Sequence, residues 1–280
     1  MSTCDHDHRQ ELVANEQQDL TQTTTLHRRE FAPALTKRFR RLKGLIRETV
    51  SYPNDAVELA AAEPREQFQF TEDEDAVSAF EAWLATAIAE DVLERVPLRR
   101  VRRGQHYTAP YVRSAYLRGI QGAERRLREA GLQVGDTAVE ATFQMPIHQR
   151  TIQTIYTRTY SNLEGITDDV QEAVRDELST ALSQGWNPKK AASQLNDEVD
   201  DIGITRARTL SRTEISNAYN TASTRRYESS SVSEVRILTS DPCPICEALA
   251  AADPYPVSEA ASLIPGRTHP RCVCTIAPVV

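Results

Sequence analysis

The spacing of cysteines and one histidine near the C-terminus constrains this chain more than any other feature. Four of the five cysteines fall between Asp241 and Pro278. Cys243 and Cys246 form a C-P-I-C knuckle, and His269, Cys272 and Cys274 follow in the run T-H-P-R-C-V-C. Pro254, Pro256 and Pro265 mark the loop between them. A C-x-x-C followed at a distance by H-x-x-C is the spacing of a structural zinc site, because a two-residue gap lets a tight turn aim two ligands at one tetrahedral centre. The segment carries few large apolar residues, and a metal staples a loop that cannot build its own core. Cys243, Cys246, His269 and Cys272 are the expected zinc ligands, since H-x-x-C repeats the knuckle spacing. Cys274 replaces His269 if this end of the chain is a strand, where Cys272 and Cys274 point the same way. Disulfides or plain buried thiols are the competing reading. No H-E-x-x-H is present, and four good ligands leave no open position, so the zinc is expected to be structural rather than catalytic.

The chain has 280 residues, room for one large or two modest domains. Hydrophobic residues make up 40% and aromatics only 6%, which favours helices packed through Leu, Ile, Val and Ala. A net charge of −7 and a pI near 5.5 exclude a general nucleic-acid binder. Only Lys37, Lys43, Lys189 and Lys190 are lysines among 33 basic residues, an Arg-rich, acidic balance typical of a salt-adapted or GC-rich source. No run reaches the length of a membrane span. Asp5, His6, Asp7 and His8 stand where a signal peptide needs an apolar stretch, so the protein is expected to be made in the cytoplasm.

The periodicity predicts a mainly α chain. Residues 1–30 read as a flexible tail, in which Cys4, His6 and His8 are mobile rather than metal-binding. A helix over 31–50 places Leu35, Phe39, Leu42, Leu45 and Ile46 on one stripe and Lys37, Arg38, Arg40, Arg41, Lys43 and Arg47 around it. That stripe is expected to dock a protein partner, with the arginines secondary. A second helix follows Thr71, whose next residues Glu72 to Asp75 suit the helix dipole. Residues 95–106 hold five arginines in nine positions, a loop, a hairpin or a phosphate-reading run. Further helices are expected over 110–130, 146–163, 167–185 with Thr167 as cap, 187–199 with Asn187 as cap and Pro188 at the first position, and 205–228. Small residues in the third would let another helix approach closely. A short strand follows over 232–239. Arg212, Glu214, Asn217 and Asn220 on the 205–228 helix are expected to build a buried hydrogen-bond network rather than an active site. The whole reads as a multi-helix, elongated N-terminal part, then a helical C-terminal domain ending in a small β-containing zinc-knuckle module.

The sequence resembles the phage Mu F-type head morphogenesis family, the minor head proteins of tailed viruses. Arg212–Glu214 with Asn217 and Asn220, then Asp241, Cys243 and Cys246, then His269-Pro270, Cys272 and Cys274, stand in the family's order. G-W-N-P-K-K-A-A at 185–192 resembles the family's step before the R-T-E helix. The likeness covers about residues 165–278. It departs at Val273, where Arg is typical, and at Ile264-Pro265-Gly266-Arg267, where a proline pair often precedes H-P; neither touches a ligand. The chain is expected to divide into a tail (1–30), a helical N-terminal domain (31–164) and, as the resemblance implies, the helical part of a head-morphogenesis domain (165–230) and the strand and zinc module (231–280).

The resemblance implies a minor structural protein of the virion interior, bound to portal or major capsid protein. Such proteins assist head assembly, genome packaging or DNA delivery, and have no catalytic activity as a class. Packaged DNA would be met through Arg99, Arg100, Arg102 and Arg103. The competing reading is a zinc-stabilised DNA-binding protein or nuclease. A nuclease would need a histidine base, and only His106 and His148 are spare beyond the N-terminal third. No phosphate-binding or nucleotide-binding glycine motif and no nucleophile elbow occurs, so no small-molecule substrate is expected.

Overall fold

A computed structural model describes residues 20–50, 74–135, 138–240 and 242–279. Cys4, His6, His8, the Thr71 cap and Asp241 lie outside them. The described chain is mainly helical, with one small antiparallel sheet. None of its described helices is long and apolar enough to cross a membrane.

The helices are α1 (Ala32–Val50, entered through wider turns at Leu26–Phe31), α2 (Glu74–Ala87), α3 (Leu98–Arg102), α4 (Ala109–Glu129), α5 (Val139–Phe143), α6 (Pro146–Ser183), α7 (Pro188–Glu198), α8 (Thr205–Glu228) and α9 (Pro244–Ala251). The strands are β1 (Glu234–Leu238), β2 (Tyr255–Pro256) and β3 (Thr275–Val279), in the order β2-β1-β3. Val235 pairs with Tyr255 on one side and Pro278 on the other. The chain forms two compact units. One comprises the described residues up to Ala32, Leu98–Tyr160 and Thr209–Val280; the other comprises Pro33–Pro97 and Ser161–Arg208.

In the second unit the α1 stripe is closed by the chain itself. Leu35, Phe39, Leu42 and Ile46 are each 1% exposed or less. Gly203 lies so close to Phe39 that an added Cβ would meet its ring at 2.5 Å. The stripe is therefore core and not the partner-docking face that its periodicity suggests, because an amphipathic pattern marks a buried face without naming what buries it. The cations around it pair locally: Arg38 with Glu94 at 2.6 Å, Arg41 with Asp91 at 3.0 Å, and Lys43 with Asp200.

Asn187 caps α7 by accepting from the Lys190 N–H at 2.9 Å, with Pro188 at the first position. Thr167 does not cap. It sits inside α6, which runs unbroken where two helices were expected, and its hydroxyl donates to the Glu164 carbonyl at 2.7 Å. A threonine that bonds back to its own helix loses the capping role that the same residue plays at a start. Helix α6 also runs through positions 164 and 165, where the resemblance draws a domain boundary.

In the first unit α4 and α8 approach closely. A Cβ on Gly119 would meet the Tyr219 carbonyl oxygen at 2.3 Å, and Ser223 donates to the Gly119 carbonyl at 3.1 Å. The tail expected to reach residue 30 gives way to packed chain by Leu20. Arg126 donates to the Leu20 carbonyl at 2.9 Å, and Leu26 and Phe31 are buried. The C-terminal core gathers Val235, Ile237, Leu263 and Ile276 with Leu127 and Tyr227 around the cysteines. The segment thus borrows apolar surface from α4 and α8 instead of relying on ligands alone.

Candidate metal centre

Cys243 is the N-cap of α9, with extended backbone, and Pro244 occupies the first helical position. The Cys243 carbonyl accepts the first helical bond from Glu247 at 2.9 Å. Proline suits that position because its missing N–H would have no partner there. The cap geometry folds Cys243 back over the first turn, where Cys246 lies.

The second ligand pair comes from a tight turn. The Cys272 N–H donates to the His269 carbonyl at 3.2 Å. Pro270 takes the second position and Arg271, with φ +69°, the third. Proline followed by positive φ is the pattern of a type II turn. Glycine usually fills the third position, because other L residues lose roughly 1–2 kcal/mol in left-handed backbone. The Arg271 N–H is held by the Thr213 hydroxyl at 3.1 Å. We expect Arg271→Gly to raise unfolding stability by about 1 kcal/mol while leaving metal stoichiometry unchanged, measured by denaturant titration and elemental analysis. A loss of stability would show that the arginine side chain holds this turn.

These turns bring the ligands together as two triplets that share Cys246. Ligand atoms of Cys243, Cys246 and His269 lie within 4.8 Å of one another, as do those of Cys246, Cys272 and Cys274. The Cys246 and Cys272 sulfurs are 3.7 Å apart. Zinc–sulfur bonds of about 2.3 Å at a tetrahedral centre put sulfurs roughly 3.8 Å apart, whereas a disulfide needs about 2.05 Å. All four cysteines are buried and none is in a disulfide. His269 is half-exposed. Its Nδ1 lies 2.7 Å from the Pro270 carbonyl oxygen and must donate to it, which leaves the Nε2 lone pair for a metal. The Cys/His groups can therefore hold a metal ion.

The thiols favour one shared negative charge. The Cys246 thiol, then that of Cys274, bonds to Cys272 and pulls it well below the ordinary thiol range. The bond to Cys272 pushes Cys246 far above the ordinary thiol range. A thiolate within hydrogen-bond reach of further sulfurs is the form that binds a soft divalent cation.

The R-T-E helix supports this site. Asn220 Nδ2 donates to the Cys274 carbonyl at 3.3 Å, and Asn220 Oδ1 accepts from the Thr275 hydroxyl at 2.9 Å. Glu214, 1% exposed, takes the Arg158 guanidinium at 2.7 Å and the Thr159 hydroxyl at 3.0 Å. Of the four residues expected to build a buried hydrogen-bond network, Glu214 and Asn220 make buried hydrogen bonds, each to groups outside the set. Thr213, Arg158 and Thr159 escaped sequence reading because nothing local announces a partner 55 or more residues away.

Arg99, Arg100, Arg102 and Arg103 are exposed on and just after α3, which is anchored by buried Val101. The two spare histidines are structural in their surroundings. His106 is buried against Thr108 at 2.8 Å and edge-on to Tyr160. His148 is fully buried and bonded through Nδ1 to the Tyr116 hydroxyl at 2.9 Å.

Burial first, then the charges of Arg226 and Arg225, pull the His148 imidazole from 6.5 down to about 4. The unfolded chain therefore binds the extra proton between these values, and folding loses stability as the pH falls through that window. The contribution of His148 is complete above about pH 6.5 and declines by at most about 1.4 kcal/mol per pH unit below it. Melting curves of wild type and His148→Gln between pH 7 and 4.5 should converge towards the acid end. Parallel curves would exclude this assignment.

Compared with known proteins, the chain matches no family model, no curated protein and no solved structure.

Proposed function

We propose that the chain is a minor structural protein of a tailed-virus head, of the phage Mu F-type head morphogenesis kind. A structural zinc is held by Cys243, Cys246 and Cys272 with His269 or Cys274. One observation carries the reading. The residues on which the resemblance rests are far apart in sequence, yet the R-T-E helix bonds directly to the H-P-R-C-V-C run through Thr213 and Asn220. A motif set whose members brace one another is what an assembly module held by a metal requires. The burial of His106 and His148 supports a non-enzymatic role, since a nuclease base must reach its substrate.

On this reading the protein works inside the head, against portal or capsid, and assists assembly, packaging or DNA delivery. Because Phe39 and Leu42 are core, docking falls to exposed apolar positions such as Leu98 and Met145. The exposed arginines of α3 face packaged DNA as a secondary contact. Fractionation of particles and assembly intermediates from the encoding virus tests this: the protein should co-purify with portal-containing heads. Its absence from virions and intermediates alike would sink the reading.

A further inference from the structure

The Asn217 carboxamide is 4% exposed, and its Nδ2 has no hydrogen-bond partner among the described residues. Its neighbours on α8 show where it points. Thr213, Asn217, Asn220 and Tyr227 fall within a stripe about 80° wide at 100° per residue. Three of the four hold the C-terminal run in register. Thr213 takes the Arg271 N–H, Asn220 the Cys274 carbonyl, and Tyr227 donates to the Ile276 carbonyl at 3.4 Å. Helix and run therefore proceed side by side in the same direction. Seven helical residues rise about 10.5 Å, and three extended residues cover about 10 Å, so the two rulers agree between Thr213 and Asn220. On that scale Asn217 lies opposite Cys272 and Val273. A buried amide left over in an otherwise paired stripe has a pending acceptor, because an unsatisfied buried N–H is unfavourable.

We propose that Asn217 is a positioning residue of the metal centre, donating an Nδ2–H···S hydrogen bond to Cys272 when the cysteines hold a divalent metal. The inference rests on the metal reading above and deepens it. A metal-bound thiolate keeps lone pairs for outer donors, and such donors orient the sulfur and moderate its electron donation to the metal. This gives Asn217, the first asparagine of the R-T-E stretch, a role that the bonds of Glu214 and Asn220 do not supply.

The test uses the full chain loaded with cobalt(II), then with cadmium-113. Asn217→Leu keeps shape and burial but has no donor. It should fold to the wild-type helical content, hold cobalt 10–100-fold more weakly, and shift the sulfur-to-cobalt charge-transfer band to lower energy. Asn217→Gln, which keeps the amide, should restore the band. In the cadmium-loaded wild type, the Asn217 side-chain amide proton should show scalar coupling to cadmium, a readout that needs no variant to fold. Wild-type affinity and band in Asn217→Leu, or no coupling in the loaded wild type, would overturn the role of Asn217 alone. A wild-type chain that takes neither metal would overturn the metal reading with it.

Discussion

Stripping the metal from the purified chain with a strong chelator should unfold the region from β1 to β3. Binding free energy in small structural zinc modules is about 10–16 kcal/mol, comparable to or larger than the stability of a whole domain. Here the sulfurs lie in the middle of the C-terminal core, so freed thiols would leave buried polar groups among Ile237, Leu263 and Ile276. Hydrogen exchange should lose protection across 234–279 on chelation and regain it when zinc returns. The single substitutions should rank in a definite order. Cys246→Ser should be the most damaging, because Cys246 belongs to both triplets. His269→Ala and Cys274→Ser separate the two candidate fourth ligands: whichever leaves zinc content near one per chain is the dispensable one. Full protection without metal, or folded protein purified with no zinc, would refute the expectation.

Arg158→Ala should destabilise the first unit by about 2–3 kcal/mol. Removing one partner of a buried pair destabilises by roughly 3–5 kcal/mol, because the other charge stays uncompensated. The Arg158 side chain is 41% exposed while that of Glu214 is 2% exposed, so water screens one end and the lower figure applies. The matching fall in melting temperature is roughly 5–10 °C. Glu214→Gln keeps the shape and an acceptor for Thr159, and should be milder, at about 1–2 kcal/mol. A double-mutant cycle isolates the pair: the combined variant should lose less than the sum of the two. Additive losses would mean that the pair does not act as one. DNA cleavage by the wild type that vanishes in a folded Glu214→Gln would turn the residue from brace to catalyst.

The difference between what was and was not legible in the sequence follows from how far each signal reaches. Asn187 and Pro188 announce the start of α7 because capping is a contact three residues long. Thr205 to Glu228 reads as one helix for the same reason. Thr167 misleads because a hydroxyl before an acidic pair looks alike whether it caps or bonds back within a helix. The α1 stripe gives the buried face of Leu35, Phe39, Leu42 and Ile46, but not its cover, which includes Phe39 against Gly203 at a separation no local pattern encodes. At the metal centre the ligand types were legible from spacing alone. The turn through Arg271 was not, since an arginine in left-handed backbone contradicts the residue preference that reading depends on. The short helix α9 was missed because Pro244 suggests a loop when its neighbours are cysteines.

The first unit is built from three stretches of chain that the second unit interrupts. A growing chain emerging from the ribosome therefore makes α4 long before it makes α8, the helix that Gly119 is shaped to receive. The α4 face that meets α8 cannot reach its final surroundings until Thr209 and beyond has been translated. The candidate ligands come later still, between Cys243 and Cys274, so a metal can be held only after nearly the whole described chain has been made. Long waits of this kind expose unpaired apolar faces and slow the final step. A nascent chain stalled before Cys243 would leave those faces open, as a substrate for chaperones.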